Sequence, residues 1–150
     1  MSATAAGRPA YAGIDPRGPR VVASLTSVVL ALVLLTPTPV ATVLLAVQAV
    51  VFGIGAVRGV QHTPYAVLFR TAVRPRLAPP TELEDPRPPR FAQALGLAFT
   101  GVALVLVLTG ATVVGLAAVG LALVAALLNA VFGLCLGCEL YLILRRATTR

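Results

Sequence analysis

The chain has 150 residues, 58% of them hydrophobic and 11% charged, with a mean hydropathy of +0.93. A water-facing fold of this size cannot hide so much apolar surface, so a soluble globular domain is excluded and spans of a hydrocarbon core are the physical alternative. Twelve basic residues against five acidic ones give a net charge of +7; all twelve are arginines flanking apolar segments with no stacking aromatics among them, which marks topology signals and contact with anionic headgroups rather than nucleic-acid binding.

Residues 1–20 form an N-terminal segment with Arg8, Arg17 and Arg20. An arginine-bearing leader before an apolar run is also how a cleavable signal begins. This one is long, rich in proline and carries Asp15, and the unit that follows recurs later in the chain, so the first helix is expected to be retained. Residues 21–57 read as a first transmembrane hairpin, with helices over Val21–Thr36 and Pro39–Val57 joined by the Pro37-Thr38-Pro39 turn. Pro39 suits a first helical turn, where its missing donor costs little. Residues 58–90 form an amphipathic loop rich in proline and arginine. Residues 91–134 read as a second hairpin, with helices over Phe91–Leu108 and Val113–Leu134 joined across Thr109-Gly110-Ala111-Thr112. Turns this short require antiparallel neighbours. Residues 135–150 complete the chain as an interfacial segment.

Neither short turn carries a charge, whereas Arg58, Arg70, Arg74, Arg76, Arg87 and Arg90 fill the central loop and Arg145, Arg146 and Arg150 the end. The excess of arginine on these segments places both termini and the central loop in the cytoplasm.

The two halves repeat. Asp15-Pro16-Arg17-Gly18-Pro19-Arg20 matches Asp85-Pro86-Arg87-Pro88-Pro89-Arg90, and Val51-Phe52-Gly53-Ile54 matches Val131-Phe132-Gly133-Leu134. With two crossings per unit, the halves enter from the same side as a parallel repeat about an axis along the membrane normal. The prolines of the hexad pre-set the first helical turn, and Asp15 and Asp85 have arginines nearby to pair with. The expected fold is therefore an all-α membrane protein of four transmembrane helices, built as two tandem helical hairpins with short amphipathic interfacial helices on the cytoplasmic side. Gln48 and Asn129 lie deep in corresponding helices, where an amide bonds across helices. No ionisable residue lies deep in any span, which argues against a pump or coupled transporter. There is no phosphate-loop lysine or nucleophile–acid set, and no cofactor-binding pattern.

Chemistry concentrates at Cys135 and Cys138, where the last apolar span meets the terminal arginines. Two cysteines placed at random in such a chain would take this spacing only about once or twice in a hundred. Three readings follow. A thiol-disulfide pair needs a thiol of lowered pKa; a cysteine ending a helix feels the wrong pole of its dipole, unless Gly133 and Gly137 break the helix and place the pair at a new start, or Arg145, Arg146 or His62 supplies positive charge. Glu139 and Tyr141 alongside are supporting candidates that orient a thiol or a proton. Under the repeat, the single histidine, His62, and the cysteines share one cytoplasmic mouth. A second reading is soft-metal binding by Cys135, Cys138 and His62, completed by Glu139 or by a homodimer. In the third, the cysteines only pack helices, beside the close-approach pairs Gly55/Gly59 and Gly133/Gly137.

The segments Asp15-Pro16-Arg17, Thr63-Pro64-Tyr65, Arg74-Pro75-Arg76-Leu77, Pro88-Pro89-Arg90-Phe91-Ala92-Gln93 and Cys135-Leu136-Gly137-Cys138-Glu139 resemble those of an integral-membrane family of bacteria, domain of unknown function 4395, over nearly the whole chain from Asp15 to Arg146. The resemblance implies a four-helix protein of the bacterial inner membrane. Because members are often encoded near thioredoxin-like and sulfurtransferase genes, it also implies a soluble partner of that kind. It carries no agreed activity.

Overall fold

The computed structural model describes residues 13–149; Arg8 and Arg150 lie outside the described residues. The described chain is mostly helical, and one isolated β-bridge is the extended pairing among the described residues. Four long helices, α1 (Arg17–Leu35), α2 (Thr38–Arg58), α4 (Arg87–Leu108) and α5 (Thr112–Phe132), run 19 to 22 residues with segment hydropathies of 1.9 to 2.3. At the helical rise these lengths reach about 30 Å, the thickness of a hydrocarbon core. Each is long and apolar enough to cross a membrane, as in a multi-pass membrane protein. A short α3 (Pro64–Leu68) follows a 3-10 turn over Val60–His62 and runs on into a π-helical turn (Phe69–Val73) and a 3-10 turn (Arg74–Arg76). The chain ends on α6 (Leu136–Thr148).

Helices α1 and α4 begin four residues before the apolar runs. Asp15 Oδ1 accepts the Arg17 amide at 3.0 Å and Asp85 Oδ1 the Arg87 amide at 2.9 Å, so each hexad's aspartate caps the helix that its prolines start. Helix α5 stops at Phe132 rather than Leu134, because Gly133 turns into the left-handed region (φ 70°) and closes the helix with its amide on the Asn129 carbonyl.

Helix α2 packs along α4, and α1 along α5, while α4 also runs against α5 and α1 against α2. The packing needs small residues. A side chain at Gly115 would meet the Ala103 carbonyl at 2.9 Å, and one at Gly96 would meet the Phe52 ring at 2.5 Å. Leu30, Val33, Ala41, Leu45, Ala103 and Val119 form one core cluster, whereas Val28, Val43, Val113, Leu121 and many other apolar side chains face outward. Polar Thr26, Ser27, Gln48, Gln93 and Thr100 are buried inside. An apolar exterior around a partly polar interior is the arrangement a lipid solvent favours.

The ends of the helices that carry arginine are tied together. Ile14 and Glu84 exchange both backbone hydrogen bonds, at 3.0 and 2.9 Å, in the antiparallel bridge. Each immediately precedes the D-P-R motif of its own half. Arg20 donates to the carbonyls of Ala130 and Val131 at the end of α5, and Arg90 to those of Ala56 and Val57 at the end of α2. Each hexad's last arginine thus caps the second helix of the other half, where the dipole is negative and the carbonyls lack partners.

Candidate functional site: a disulfide at a helix start beside an apolar cavity

After Gly133 the chain runs extended through Leu134 and Cys135 before re-entering a helix. Cys135 (φ −86°, ψ 97°) is the N-cap residue of α6, and its Sγ accepts the Cys138 amide at 3.3 Å. The two sulfurs form a disulfide, with the Cα atoms 5.2 Å apart. The pair therefore stands at the positive pole of α6 and not at the negative pole of α5, because the left-handed glycine separates the two helices. Only one of the two glycines breaks the chain. Gly137 lies inside the first turn of α6 and is a contact point: a Cβ there would fall 2.6 Å from Ala92 Cβ and 2.7 Å from Ala92 Cα. The pair Gly55/Gly59 divides its labour similarly, with Gly59 (φ 103°) ending α2 and Gly55 seated against Gln93. Neither pair forms one continuous seam.

The remaining residues expected around the site are dispersed. Tyr141 packs its ring on Phe91 of α4 with centroids 5.6 Å apart, which fixes α6 against α4 one turn beyond Cys138. Glu139 is exposed in the first turn of α6, where its charge complements the helix dipole. Arg145 and Arg146 occupy the last turn of α6, seven and eight residues past Cys138 and so roughly 10 Å along the axis. His62 is exposed on the 3-10 turn after α2. Among the described residues no three His, Cys, Asp or Glu side chains come together, so His62 and Glu139 do not join the cysteines in a ligand set.

Two residues not singled out by spacing do border the site. Arg20, a topology signal and the last residue of the first hexad, lies over the α5 terminus; a side chain at Gly133 would meet its Nε at 3.9 Å. Its place in the repeated hexad was the available clue. Gln93 of α4 is 8% exposed, and its Oε1 is buried without a hydrogen-bond partner. It lines a half-enclosed cavity of about 440 Å³ bounded by α1, α4 and α5, with Phe52 of α2 and the start of α6, including Cys135 and Gly137, completing the wall. Val60, from the turn that carries His62, reaches the same cavity. Asn129 of α5 adds a second carboxamide, and among the described residues no charged one lines it.

In the first half the corresponding amide is satisfied at its oxygen only. Gln48, fully buried in α2, accepts a hydrogen bond from the Tyr65 hydroxyl at 2.8 Å through Oε1, leaving its Nε2 without a partner. Burial pushes the Tyr65 phenol pKa up.

Helices long enough to span a bilayer, two matching hexads and a cysteine pair after the last span place this chain among multi-pass membrane proteins. More particularly, the family model described as Domain of unknown function (DUF4395) matches residues 14–146, and the chain belongs to that family. No curated protein and no solved structure matches it.

Proposed function

We propose that this chain is a thiol-disulfide or sulfur-relay component of the bacterial inner membrane, exchanging disulfides between Cys135/Cys138 and a soluble thioredoxin-like or sulfurtransferase partner. In this reading the two halves are tandem hairpins about a pseudo-twofold axis, both termini face the cytoplasm, and α6 lies at the membrane surface. The swapped packing of α2 on α4 and α1 on α5, the reciprocal arginine caps and the Ile14–Glu84 bridge all support that symmetry. The amphipathic α6, with exposed Leu136, Leu140 and Ile143 beside Arg145 and Arg146, supports the surface position.

The observation that carries the reading is Cys135 at the N-cap of α6 with its sulfur accepting a backbone N–H. When the pair is reduced, that donor and the helix dipole favour the Cys135 thiolate, making it the attacking sulfur. The thiolate attacks a partner disulfide, one partner sulfur leaves as a thiolate, and a mixed disulfide forms. Cys138 then attacks Cys135 Sγ as a thiolate, releasing the second partner sulfur and closing the intramolecular disulfide. A purely structural role is less well supported, since Gly137 makes the close contact with α4 while both cysteines stay half-buried.

Mass-tagged maleimide labelling in native membranes tests this. Cys135 is expected to label rapidly below the ordinary thiol pKa after mild reduction, and the Cys138→Ser variant to trap a mixed disulfide with a soluble protein. Labelling that requires detergent unfolding, with no trapped species under any redox poise, sinks the proposal.

A further inference from the structure

The cavity beside the disulfide has a composition that narrows its occupant. Its walls are apolar, it lies within the spans of α1, α4 and α5, and its volume of about 440 Å³ is that of a small-molecule site. With no charged side chain among the described residues of its lining, it offers no counter-charge to a phosphate headgroup. A hydrocarbon chain would offer no hydrogen-bond partner to the two carboxamides that line it, Gln93 and Asn129, which is a costly state in a low-dielectric interior. What fits is a neutral, lipid-soluble molecule with carbonyl or hydroxyl oxygens. A carboxamide offers both a donor and an acceptor, and the cavity has two, Gln93 on α4 and Asn129 on α5. Cys135 lies on the same wall.

We infer that this cavity receives the ring of a membrane quinone, and that the quinone is the oxidant that regenerates the Cys135–Cys138 disulfide. The inference rests on the thiol-exchange reading given above. In the step, the two S–H bonds break and the S–S bond forms; two electrons and two protons pass to the quinone oxygens, giving one quinol per disulfide. The two carboxamides suit both states of the ring, the Gln93 N–H₂ donating to the quinone carbonyl and the Asn129 oxygen accepting from the quinol hydroxyl. The same exchange run in reverse, with a thiolate of the partner's dithiol attacking the Cys135–Cys138 disulfide and the partner leaving as a disulfide, then returns the pair to dithiol. The site thus couples a water-soluble thiol to an oxidant dissolved in the bilayer, which accounts for a cysteine pair at a helix start being built against an apolar cavity.

The test uses the full chain, reduced and freed of reductant, in lipid nanodiscs with decylubiquinone, whose fully substituted ring resists thiol addition. Thiols are counted by mass-tagged maleimide and quinol by ultraviolet absorbance. The expected result is one disulfide and one quinol per chain. Gln93→Leu should slow the reaction at least tenfold. Ala125→Phe, which fills the cavity from α5 and leaves Gln93 and the cysteines in place, should do the same, so the outcome does not hang on one variant's folding. If wild-type thiols exchange with oxidised thioredoxin but produce no quinol, the quinone inference fails and the exchange reading stands. If both variants match the wild-type rate, the cavity is not the quinone site and the inference fails. Thiols that react with neither partner overturn both.

Discussion

The exits from the two halves start from the same motif and reach opposite results. After Val51-Phe52-Gly53, α2 continues five residues to Arg58, Phe52 is buried on Gly96, and Tyr65 hydrogen-bonds Gln48. After Val131-Phe132-Gly133, α5 stops at once, Phe132 is 75% exposed, and Tyr141 stacks on Phe91 and makes no bond to Asn129. In the register of the two hexads, Thr26 stands where the other half has Gly96. Without a glycine there, the second phenylalanine has no seat, and Thr26 instead lines the cavity that Cys135 borders. The first exit is a closed, hydrogen-bonded structure; the second is open, and carries the cysteine pair. A duplicated unit can thus keep its packing in one copy and lose it in the other, leaving a cavity there.

The sharpest way to break this comparison is at Gly137. Any side chain there collides with the backbone of Ala92, so Gly137→Val should cost the few kcal/mol of an overpacked core, about 1–3, and lift α6 from α4. We expect cysteine alkylation after reduction to speed up at least tenfold in Gly137→Val, while Gly53→Ala, with open space around its position, leaves stability within about 0.5 kcal/mol. Equal effects at the two positions would mean that the exits do not differ as described.

The two phenylalanines give the next test. Phe52→Ala should destabilise the protein by about 3 kcal/mol, the low end for a buried aromatic, whereas Phe132→Ala should change stability by less than about 0.5 kcal/mol. Thermal unfolding of both variants in nanodiscs measures the difference, and a Phe132 cost approaching that of Phe52 would show that the second motif is packed after all.

Much of this molecule was legible because lipid imposes simple rules. Span number, span length and the clustering of arginine follow from hydropathy and charge placement, and the duplicated hexads stand in the sequence. Helices α1 and α4 start four residues ahead of their apolar runs, because hydropathy registers contact with lipid while Asp15 and Asp85 act outside it as caps. Cys135 at a helix start was one of two alternatives; nothing in the sequence told which glycine would turn left-handed. Gln93, Arg20 and the cavity escaped because they depend on which faces of distant helices meet, and that is decided by the close approaches at Gly96, Gly115 and Gly137.

A smaller effect separates the two buried amides. Tyr65→Phe removes the hydroxyl that Gln48 accepts from and should cost about 0.6 kcal/mol, a typical value for a hydrogen bond between membrane helices. Gln48→Leu removes an amide whose nitrogen already lacks a partner, so it should be near neutral on its own. In the double variant the Tyr65→Phe cost should vanish. A double-mutant cycle by reversible denaturant titration reads the coupling, and full additivity would mean the bond holds nothing.

The smallest expected effect lies at the hexad and depends on pH. Asp15 is buried and receives two side-chain hydrogen bonds from Arg17, at 3.0 and 2.9 Å, while the same guanidinium also donates to the Ala78 carbonyl. Chiefly through the Arg17 side-chain bond, and against the opposing effect of burial, the carboxyl is held below its ordinary value. A group whose pKa is depressed by folding contributes stability that is fully present above its unfolded pKa, about 3.9, and is lost as pH falls through the folded value. The wild-type protein should therefore lose stability below about pH 4. Asp15→Asn, which keeps an oxygen for the Arg17 amide but has no charge to lose, should be less stable at neutral pH and should lack Asp15's contribution to that acid limb. Arg17→Gln should flatten the same limb by returning the carboxyl toward its ordinary pKa. An unchanged acid limb in both variants would show that the pair, although well formed in geometry, does not couple protonation to folding.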